Sequence, residues 1–481
     1  MAIEIQPPAS VVAVMAKLWA NGHAAYVVGG SVRDPILGRP AEDWDLATDA
    51  RPDRLLAVFP GAVYENRFGT VAVREGGEDH QVTTFRTDHD YADFRRPHRV
   101  EFGNDLELDL ARRDFTVNAI AWGAPALTPD APAGAGATVA AAGTTPTPAA
   151  AGTTPNATDA TPSPALVDPF GGIADVVAHR LRAVGEPAAR FREDALRMVR
   201  AVRLAAVLEF EIDPPTFAAI CANASLAAHV SGERVAAELQ KLLLAATPSI
   251  GLRLMSEAGL LDVLLPEIAA QRGIAQNKVD GEDLFDHTLL TVDAVPANRP
   301  VVRVAALLHD VGKPSTIDDG PFRGHEAIGA EIAERLLDRL RFPRVATERV
   351  VHLVRSHMFN YEPGWGDAGS RRFIQRARTD SIDDLFALRE ADNVGSGLAA
   401  DADDLADLRR RVETELASAV VLDRSRLAVH GDDLMADLEL PAGPHLGAIL
   451  DALLDRVIAD PKLNDRATLL LLAESMLAED G

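Results

Sequence analysis

A chain of 481 residues, 47% apolar and 25% charged, is long enough for about three domains and too apolar to be mostly disordered, and without an unbroken run of about 18 apolar residues it offers no helical membrane span. Its first residues, MAIEIQPPAS, lack a basic segment followed by an apolar one, and the lone Cys221 excludes an intrachain disulfide and a Cys-rich zinc site; together these predict a cytoplasmic protein. The net charge is −24, from 72 acidic against 48 basic residues, which taken alone argues against a nucleic-acid partner, since such a partner calls for a basic footprint.

In chain order, helices are predicted over 10–20 and 52–59, and strands over 25–28, 44–46, 70–73 and 81–85. Residues 124–165 are almost wholly Ala, Thr, Pro, Gly and Ser, with Asp130 and Asp159 their only charges. That composition reads as a flexible insertion interrupting one domain. Beyond it, 3.6-residue periodicity predicts helices over 188–208, 231–246, 249–258, 324–340 and 401–418. The fold class is therefore α+β, a small mixed α/β head followed by a long all-helical remainder.

Tyr26-Val27-Val28-Gly29-Gly30-Ser31-Val32-Arg33-Asp34 reads as strand, glycine turn and helix start. Two glycines let the backbone approach a phosphate, and Arg33, one turn in, reaches the same anion. A plain strand-to-helix turn has the same pattern. Shortly after comes Asp43-Trp44-Asp45-Leu46. Residues i and i+2 of a strand share a face, so the two carboxylates are expected side by side. Such a pair repels unless a cation neutralises it, and oxygen ligands suit Mg²⁺. Mg²⁺ between the pair and a triphosphate can activate an attacking hydroxyl and stabilise the leaving pyrophosphate.

Gly-Gly-Ser-Val-Arg-Asp followed by Asp-Trp-Asp-Leu resembles the first motif of the class II tRNA nucleotidyltransferases, a family that includes bacterial poly(A) polymerases. Further segments resemble that family in its order: Arg67-Phe68-Gly69-Thr70-Val71, then Arg112-Arg113-Asp114-Phe115-Thr116-Val117-Asn118-Ala119, then Asp168-Pro169-Phe170-Gly171-Gly172 with Asp175. Residues 84–97 resemble its flexible loop, with Phe94 where the family usually has glycine. Glu193-Asp194-Ala195-Leu196-Arg197 resembles its base-selecting helix. Asp194 and Arg197, three apart, would share a helix face, with Arg200 and Arg203 extending it; an intrahelical salt-bridge ladder gives the same spacing. A carboxylate accepting from an exocyclic amine beside a donating guanidinium fits cytosine and adenine, and not guanine or uracil.

In the helical half, His287, the pair His309-Asp310 within Leu307-Leu308-His309-Asp310-Val311-Gly312-Lys313, and Asp392 resemble the HD phosphohydrolase superfamily. That resemblance makes His287, His309, Asp310 and Asp392 ligands of a divalent transition metal, with His325 and His357 as further candidates.

The combined resemblance implies a CCA-adding tRNA nucleotidyltransferase with a fused HD domain: template-independent addition of CCA to tRNA 3′ ends from CTP and ATP, with release of pyrophosphate. Asp43 and Asp45 would be catalytic, holding Mg²⁺. Gly30 and Arg33 would hold the triphosphate, Arg113 and Asp114 would sit near the sugar, Asp194 and Arg197 would select the base, and Arg200 and Arg203 would contact the nucleotide. The expected division is head 1–123, insertion 124–165, end of head 166–179, an elongated helical neck 180–282, HD domain 283–400 and C-terminal helices 401–481. Partners would be the tRNA 3′ end, CTP and ATP, with no membrane. A bacterial poly(A) polymerase shares the chemistry but adds A without limit. An HD phosphohydrolase with a non-catalytic RNA-binding head is the alternative from another class, against which the Asp43/Asp45 pair speaks.

The charge divides unevenly. Residues 1–123 carry −6, 124–165 carry −2, 166–285 carry −4 and 286–481 carry −12, whereas within 180–203 seven arginines face three acids for a net of +4. A local arginine surface on a repelling body is the expected RNA contact, and it predicts marked salt sensitivity.

Overall fold

The computed structural model describes residues 4–41, 43–65, 69–89, 99–126, 162–276, 281–319, 322–359, 361, 364–399, 402–418 and 422–479. It forms two compact units, Met1–Val230 and Ser231–Gly481. No helix among the described residues is long and apolar enough to cross a membrane.

The first unit contains helices α1 (Ala9–Ala20), α2 (Gly30–Ile36), α3 (Pro52–Val58), α4 (Leu106–Ala111), α5 (Gly172–Val177), α6 (Pro187–Glu193), α7 (Leu196–Leu208) and α8 (Pro214–Asn223). Its strands are β1 (Ala25–Val28), β2 (Leu46–Thr48), β3 (Val63–Tyr64), β4 (Thr70–Glu75), β5 (Glu78–Thr84), β6 (Arg86–His89), β7 (Arg99–Phe102), β8 (Ala121–Ala124), β9 (Ala165–Val167), β10 (Arg180–Leu181) and β11 (Glu211–Ile212). Seven of them make one sheet in the order β3-β4-β5-β2-β1-β8-β9. Only β2 and β5 pair in parallel within it. Strand β1, apolar at every position, is buried at every position between β2 and β8. Helix α1 buries Val11, Val14, Met15, Leu18 and Trp19, the i, i+3, i+4, i+7, i+8 stripe of an amphipathic helix.

The low-complexity segment joins neighbouring antiparallel strands. Gly123 pairs with Ala165 and Ala121 with Val167, so both flanks belong to one sheet, as the sequence predicts. The insertion's interior, 127–161, lies outside the described residues. Its outermost positions belong to the sheet instead: Ala124 ends β8, where its carbonyl accepts from Trp19 Nε1 at 3.1 Å, and Ala165 begins β9.

Three expectations differ. The neck, expected to be all-helical from 180, contains the short parallel pair of β10 and β11, Arg180 against Glu211 and Leu181 against Ile212. The strand predicted over 44–46 begins only at Leu46, so Asp43 and Asp45 lie on the extended lead-in to β2. The single helix predicted over 188–208 is broken into α6 and α7, with Asp194 extended between them at φ −148°, ψ 105°. The Asp194 carboxylate accepts from Leu196 N at 3.1 Å, a local bond that competes with helical continuation and caps the next helix.

The third motif fastens the second. Asp168 accepts from Gly172 N and Ile173 N at 2.6 and 2.9 Å, capping α5. A Cβ on Gly172 would lie 2.1 Å from Thr116 O, so only glycine allows that approach. Buried Asp175 accepts from Thr116 Oγ1 (2.7 Å), Arg180 Nε (2.7 Å) and Arg182 Nε (3.0 Å).

Among the described residues, the second unit is helical: α9 (Gly232–Leu243), α10 (Pro248–Glu257), α11 (Leu260–Leu264), α12 (Pro266–Ala269), α13 (Leu284–Ala294), α14 (Pro300–Leu308), α15 (His325–Arg339), α16 (Arg344–Ser356), α17 (Asp367–Ala377), α18 (Ile382–Gly395), α19 (Asp403–Ala417), α20 (Gly431–Asp437), α21 (Pro444–Ala459) and α22 (Arg466–Glu479). The buried Arg371–Glu415 pair at 2.8 Å ties α17 to α19, and Arg371 Nη1 also donates to Ile458 O of α21 at 2.6 Å.

Candidate active site and metal centre

In the first unit, β1 runs into Gly29, whose φ of 71° turns the chain into α2. A Cβ there would meet Arg113 Nη1 at 3.0 Å, so the glycine turn lies against the second motif's arginine. Arg33 folds back over Gly30, with Nη2 3.4 Å from where a Gly30 Cβ would stand. Its Nη1 donates to Asn118 Oδ1 at 2.6 Å and its Nε to Asp34 Oδ1 at 2.8 Å.

Asp43 and Asp45 follow on the lead-in to β2, with both side chains facing solvent. The protein packed around Asp45 nevertheless pushes its carboxyl up; Arg113 pulls it down and the neighbouring Asp43 pushes it up again. The two carboxylates thus feel each other, and among the described residues no lysine or arginine forms an ion pair with either. This like-charged oxygen pair, open to solvent, fits a hard divalent cation.

The second motif connects this end to the neck. Arg113 lies within electrostatic reach of Asp45, Asp109 and Asp114. Asp114 accepts from Phe115 N at 2.9 Å and Asn118 Nδ2 at 3.1 Å, and its other oxygen is 2.8 Å from Arg200 Nη2. Burial pushes the Asp114 carboxyl up, but Arg200, Asn118 and Arg197 outweigh it and hold it below the usual range. Arg197 donates through Nη1 to Glu193 Oε2 and through Nη2 to Arg112 O, both at 2.9 Å. The structure therefore brings Asp45, Arg113, Asp114, Arg197 and Arg200 into one electrostatic network, with Arg203 one step further along α7. Asp194 and Arg197 do not share a continuous helix face. They are instead juxtaposed across the α6–α7 break, where Arg197 N donates to Asp194 O at 3.0 Å. Arg67, Phe68 and 90–97 lie outside the described residues.

Three participants escaped sequence reasoning. Ser31 Oγ donates to Asp43 O at 2.9 Å and accepts from Asp45 N at 3.0 Å. Glu193 anchors Arg197, one helical turn away, a spacing that could have been read. Asp109, 1% exposed, accepts from Arg112 Nε (3.0 Å) and Nη2 (2.7 Å), from Arg86 N (3.2 Å) and from Arg113 Nη2 (3.5 Å). Its spacing to Arg112 and Arg113 was the available signal.

In the second unit, α13 presents His287, the end of α14 presents His309 and Asp310, α15 opens with His325, α16 closes onto His357, and α18 presents Asp392. All six are buried. Each histidine backs its Nδ1 onto a main-chain carbonyl: His287 on Gly395 (2.9 Å), His309 on Ala306 (2.8 Å), His325 on Phe322 (2.7 Å) and His357 on Val354 (2.7 Å). A carbonyl can only accept, so in the neutral ring the proton sits on Nδ1 and the Nε2 lone pair points inward. His287 and His309 face each other Nε2 to Nε2 at 3.2 Å, as do His325 and His357 at 3.2 Å. Neutral rings of this tautomer cannot bond one another, and a cation satisfies both. Two candidate triads result, His287/His309/Asp392 and Asp310/His325/His357, each with ligand atoms within 4.8 Å of one another. Asp310 reaches both: Oδ2 lies 3.1 Å from His309 Nε2 and 3.4 Å from His287 Nε2, and Oδ1 lies 3.1 Å from His325 Nε2 and 3.6 Å from His357 Nε2. Burial pushes the Asp310 carboxyl up, but the surrounding histidines hold it well below the usual range. Burial pushes His309 down, keeping it in the neutral form a metal ligand requires. The sequence singled out four of these residues and left His325 and His357 as further candidates; the fold gathers all six.

Taken together, the head sheet, its glycine turn and aspartate pair, and the histidine-rich helical centre define a chain of the poly A polymerase head type carrying an HD domain. Family models match in that order: "Poly A polymerase head domain" over 25–129, "Probable RNA and SrmB- binding site of polymerase A" over 209–272, and "HD domain" over 277–406. The CCA-adding enzyme of Lactococcus lactis subsp. lactis (strain IL1403) is 30% identical over 468 residues, 96% of each chain, and on this ground the chain belongs to the CCA-adding enzyme family. The CCA-adding enzyme of Geobacillus thermodenitrificans (strain NG80-2) is 41% identical over 267 residues, 55% of this chain and 56% of that one; with such curated relatives the match spans about half their length. The crystal structure of the Bacillus stearothermophilus CCA-adding enzyme in complex with CTP has a TM-score of 0.68 at 28% identity, covering 98% of both chains.

Proposed function

We propose that this chain adds CCA to the 3′ ends of tRNA, taking CTP twice and ATP once and releasing pyrophosphate, with the tRNA 3′ end, CTP and ATP as its partners and the cytoplasm as its setting. The observation that carries the proposal is the exposed Asp43–Asp45 pair beside the glycine turn in the same unit as the second motif, where Asp114 lies 2.8 Å from Arg200 and Arg197 rests on the Arg112 carbonyl at 2.9 Å. The names of the relatives and of the CTP-bound structure support it, and none of them favours unlimited A addition.

Asp43 and Asp45 would hold Mg²⁺. Bound there, the ion supplies activation of the attacking 3′-hydroxyl and neutralisation of the leaving pyrophosphate. Gly30 and Arg33 cradle the triphosphate. Arg113 and Asp114 lie where the sugar would stand. Arg197, held at two nitrogens by Glu193 and the Arg112 carbonyl, offers its remaining N–H groups in a fixed direction to a ring nitrogen, while Asp194 accepts from the amino group that cytosine and adenine share. Arg200 and Arg203 add positive charge to an otherwise acidic body.

The helical centre is read as a two-ion site, His287, His309 and Asp392 on one side and His325 and His357 on the other, with Asp310 between; nitrogen and oxygen ligands suit a divalent transition metal. Metal held there supplies an activated water for phosphoester hydrolysis. The division into head 1–123, insertion 124–165, end of head 166–179, neck 180–282, HD domain 283–400 and C-terminal helices 401–481 belongs to the same reading, supported by the spans of the three family models. Incubating the protein with tRNA lacking CCA and each labelled nucleotide tests the main proposal. C incorporation from CTP alone, then A only after two C, is expected; A tails from ATP alone with no C incorporation would overturn it.

A further inference from the structure

We propose that Ser31 is a positioning residue that clamps the Asp43–Asp45 segment to the glycine turn and thereby sets the cation affinity of the carboxylate pair. The proposal rests on reading Asp43 and Asp45 as the cation-holding pair.

The segment needs such a clamp. Asp43 to Asp45 precedes β2, so its main-chain groups lack the regular pairing of a strand interior. One fastening is main-chain: Val28 N donates to Asp45 O at 3.0 Å. The other is the Ser31 hydroxyl, which spends its single proton on Asp43 O (2.9 Å) and receives the Asp45 N–H (3.0 Å). One side chain thus bonds the two carboxylate-bearing residues at once, through their backbones. Ser31 is 1% exposed, so its hydroxyl is committed to this bridge rather than to water.

The pair itself works against the segment. Two carboxylates two positions apart on one exposed segment repel each other, and an unclamped segment can relax by moving them apart. Ser31 sits two residues past Gly29, whose positive φ fixes where α2 begins. The hydroxyl therefore keys the carboxylates to the same turn that Arg113 and Arg33 close upon. Replacing it by hydrogen, as in Ser31→Ala, removes both bonds and leaves Arg113, Arg33 and the carboxylates themselves untouched.

Groups that orient metal ligands from behind typically account for 10- to 100-fold in metal affinity, and about tenfold is expected here. Full-length protein carrying Asp310→Ala, to silence the helical centre, is titrated with Mn²⁺ in the presence of CTP and followed by electron paramagnetic resonance; kcat and KM for CTP are measured in parallel across a range of Mg²⁺. Ser31→Ala should weaken Mn²⁺ binding and raise the half-saturating Mg²⁺ each by roughly tenfold, with kcat recovering at high Mg²⁺. Ser31→Cys, which keeps the volume but bonds weakly, should behave like Ser31→Ala if the latter folds poorly. Ser31→Thr, which keeps the hydroxyl, should stay near the parent. Asp45→Asn is the control for the underlying reading. If Asp45→Asn loses Mn²⁺ binding while Ser31→Ala and Ser31→Cys bind as the parent does, the clamp is refuted and the carboxylate reading stands. If Asp45→Asn binds Mn²⁺ normally, the carboxylate reading fails and the proposal falls with it.

Discussion

Asp310 is predicted to be the hinge of metal loading in the helical unit. One of its oxygens faces His287 and His309, the other faces His325 and His357, so Asp310→Ala should lose both ions, whereas His357→Ala or His287→Ala should lose one. The magnitude follows from the count of sites. An ion present at a hundred times its Kd stabilises the folded state by about 2.7 kcal/mol, so two ions contribute about 5 kcal/mol. For a unit of this size, about 1 kcal/mol moves Tm by roughly 2–4 °C, so chelation should lower the Tm of the Ser231–Gly481 transition by roughly 10–20 °C. Plasma mass spectrometry gives transition metal per chain, and calorimetry with and without chelator gives the shift. A parent protein that binds at most one ion and keeps its Tm under chelation would refute the two-site account. Two ions retained by Asp310→Ala would refute the bridge.

Asp109→Asn should destabilise the first unit by about 2 kcal/mol at pH 7. Breaking a buried pair costs about 3–5 kcal/mol, and Arg112 and Arg113 keep enough solvent access to recover part of that. Burial pushes the Asp109 carboxyl up, but Arg112 and Arg113 outweigh it and hold it down. A depressed carboxylate contributes stability above its unfolded pKa of about 3.9 and loses it as pH falls through the folded value, so the gap between variant and parent should close below about pH 4 in denaturant titrations. An unchanging gap would contradict the pairing. Arg197→Lys keeps the charge but loses the planar fork. It should lower kcat/KM for CTP, measured at saturating tRNA, by roughly tenfold to a hundredfold, on the scale of hydrogen bonds to charged groups, with a smaller change in KM for tRNA. Steady-state kinetics with CTP unchanged from the parent would remove Arg197 from base recognition.

The sequence made the head legible because its signals were local. The apolar run of β1, the stripe of α1 and the glycine turn each announce themselves within a few residues, and the structure holds each of them close to where the pattern placed it. The break at Asp194 was also local, an N-cap residue ahead of Ala-Leu-Arg-Met-Val, but the surrounding helical periodicity masked it. What sequence reading could not supply is pairing at a distance. Nothing in the spacing says that Arg197 will rest on the Arg112 carbonyl 85 positions earlier, or that Asp310 will face histidines on three other helices. Those contacts exist only once the helices have packed. Net charge is likewise blind to pairing: of the arginines at 180–203, Arg180 and Arg182 rest on buried Asp175, Arg190 and Arg197 on Glu193, and Arg200 on Asp114.

The central claim is tested most directly by sequencing the 3′ ends of tRNA transcripts lacking CCA after incubation with all four nucleotides, comparing the parent with Asp45→Asn. Ends that stop at C-C-A in the parent and unextended ends in the variant are expected. Extension by the variant, or ends in the parent that run on in A or carry U or G, would contradict that claim.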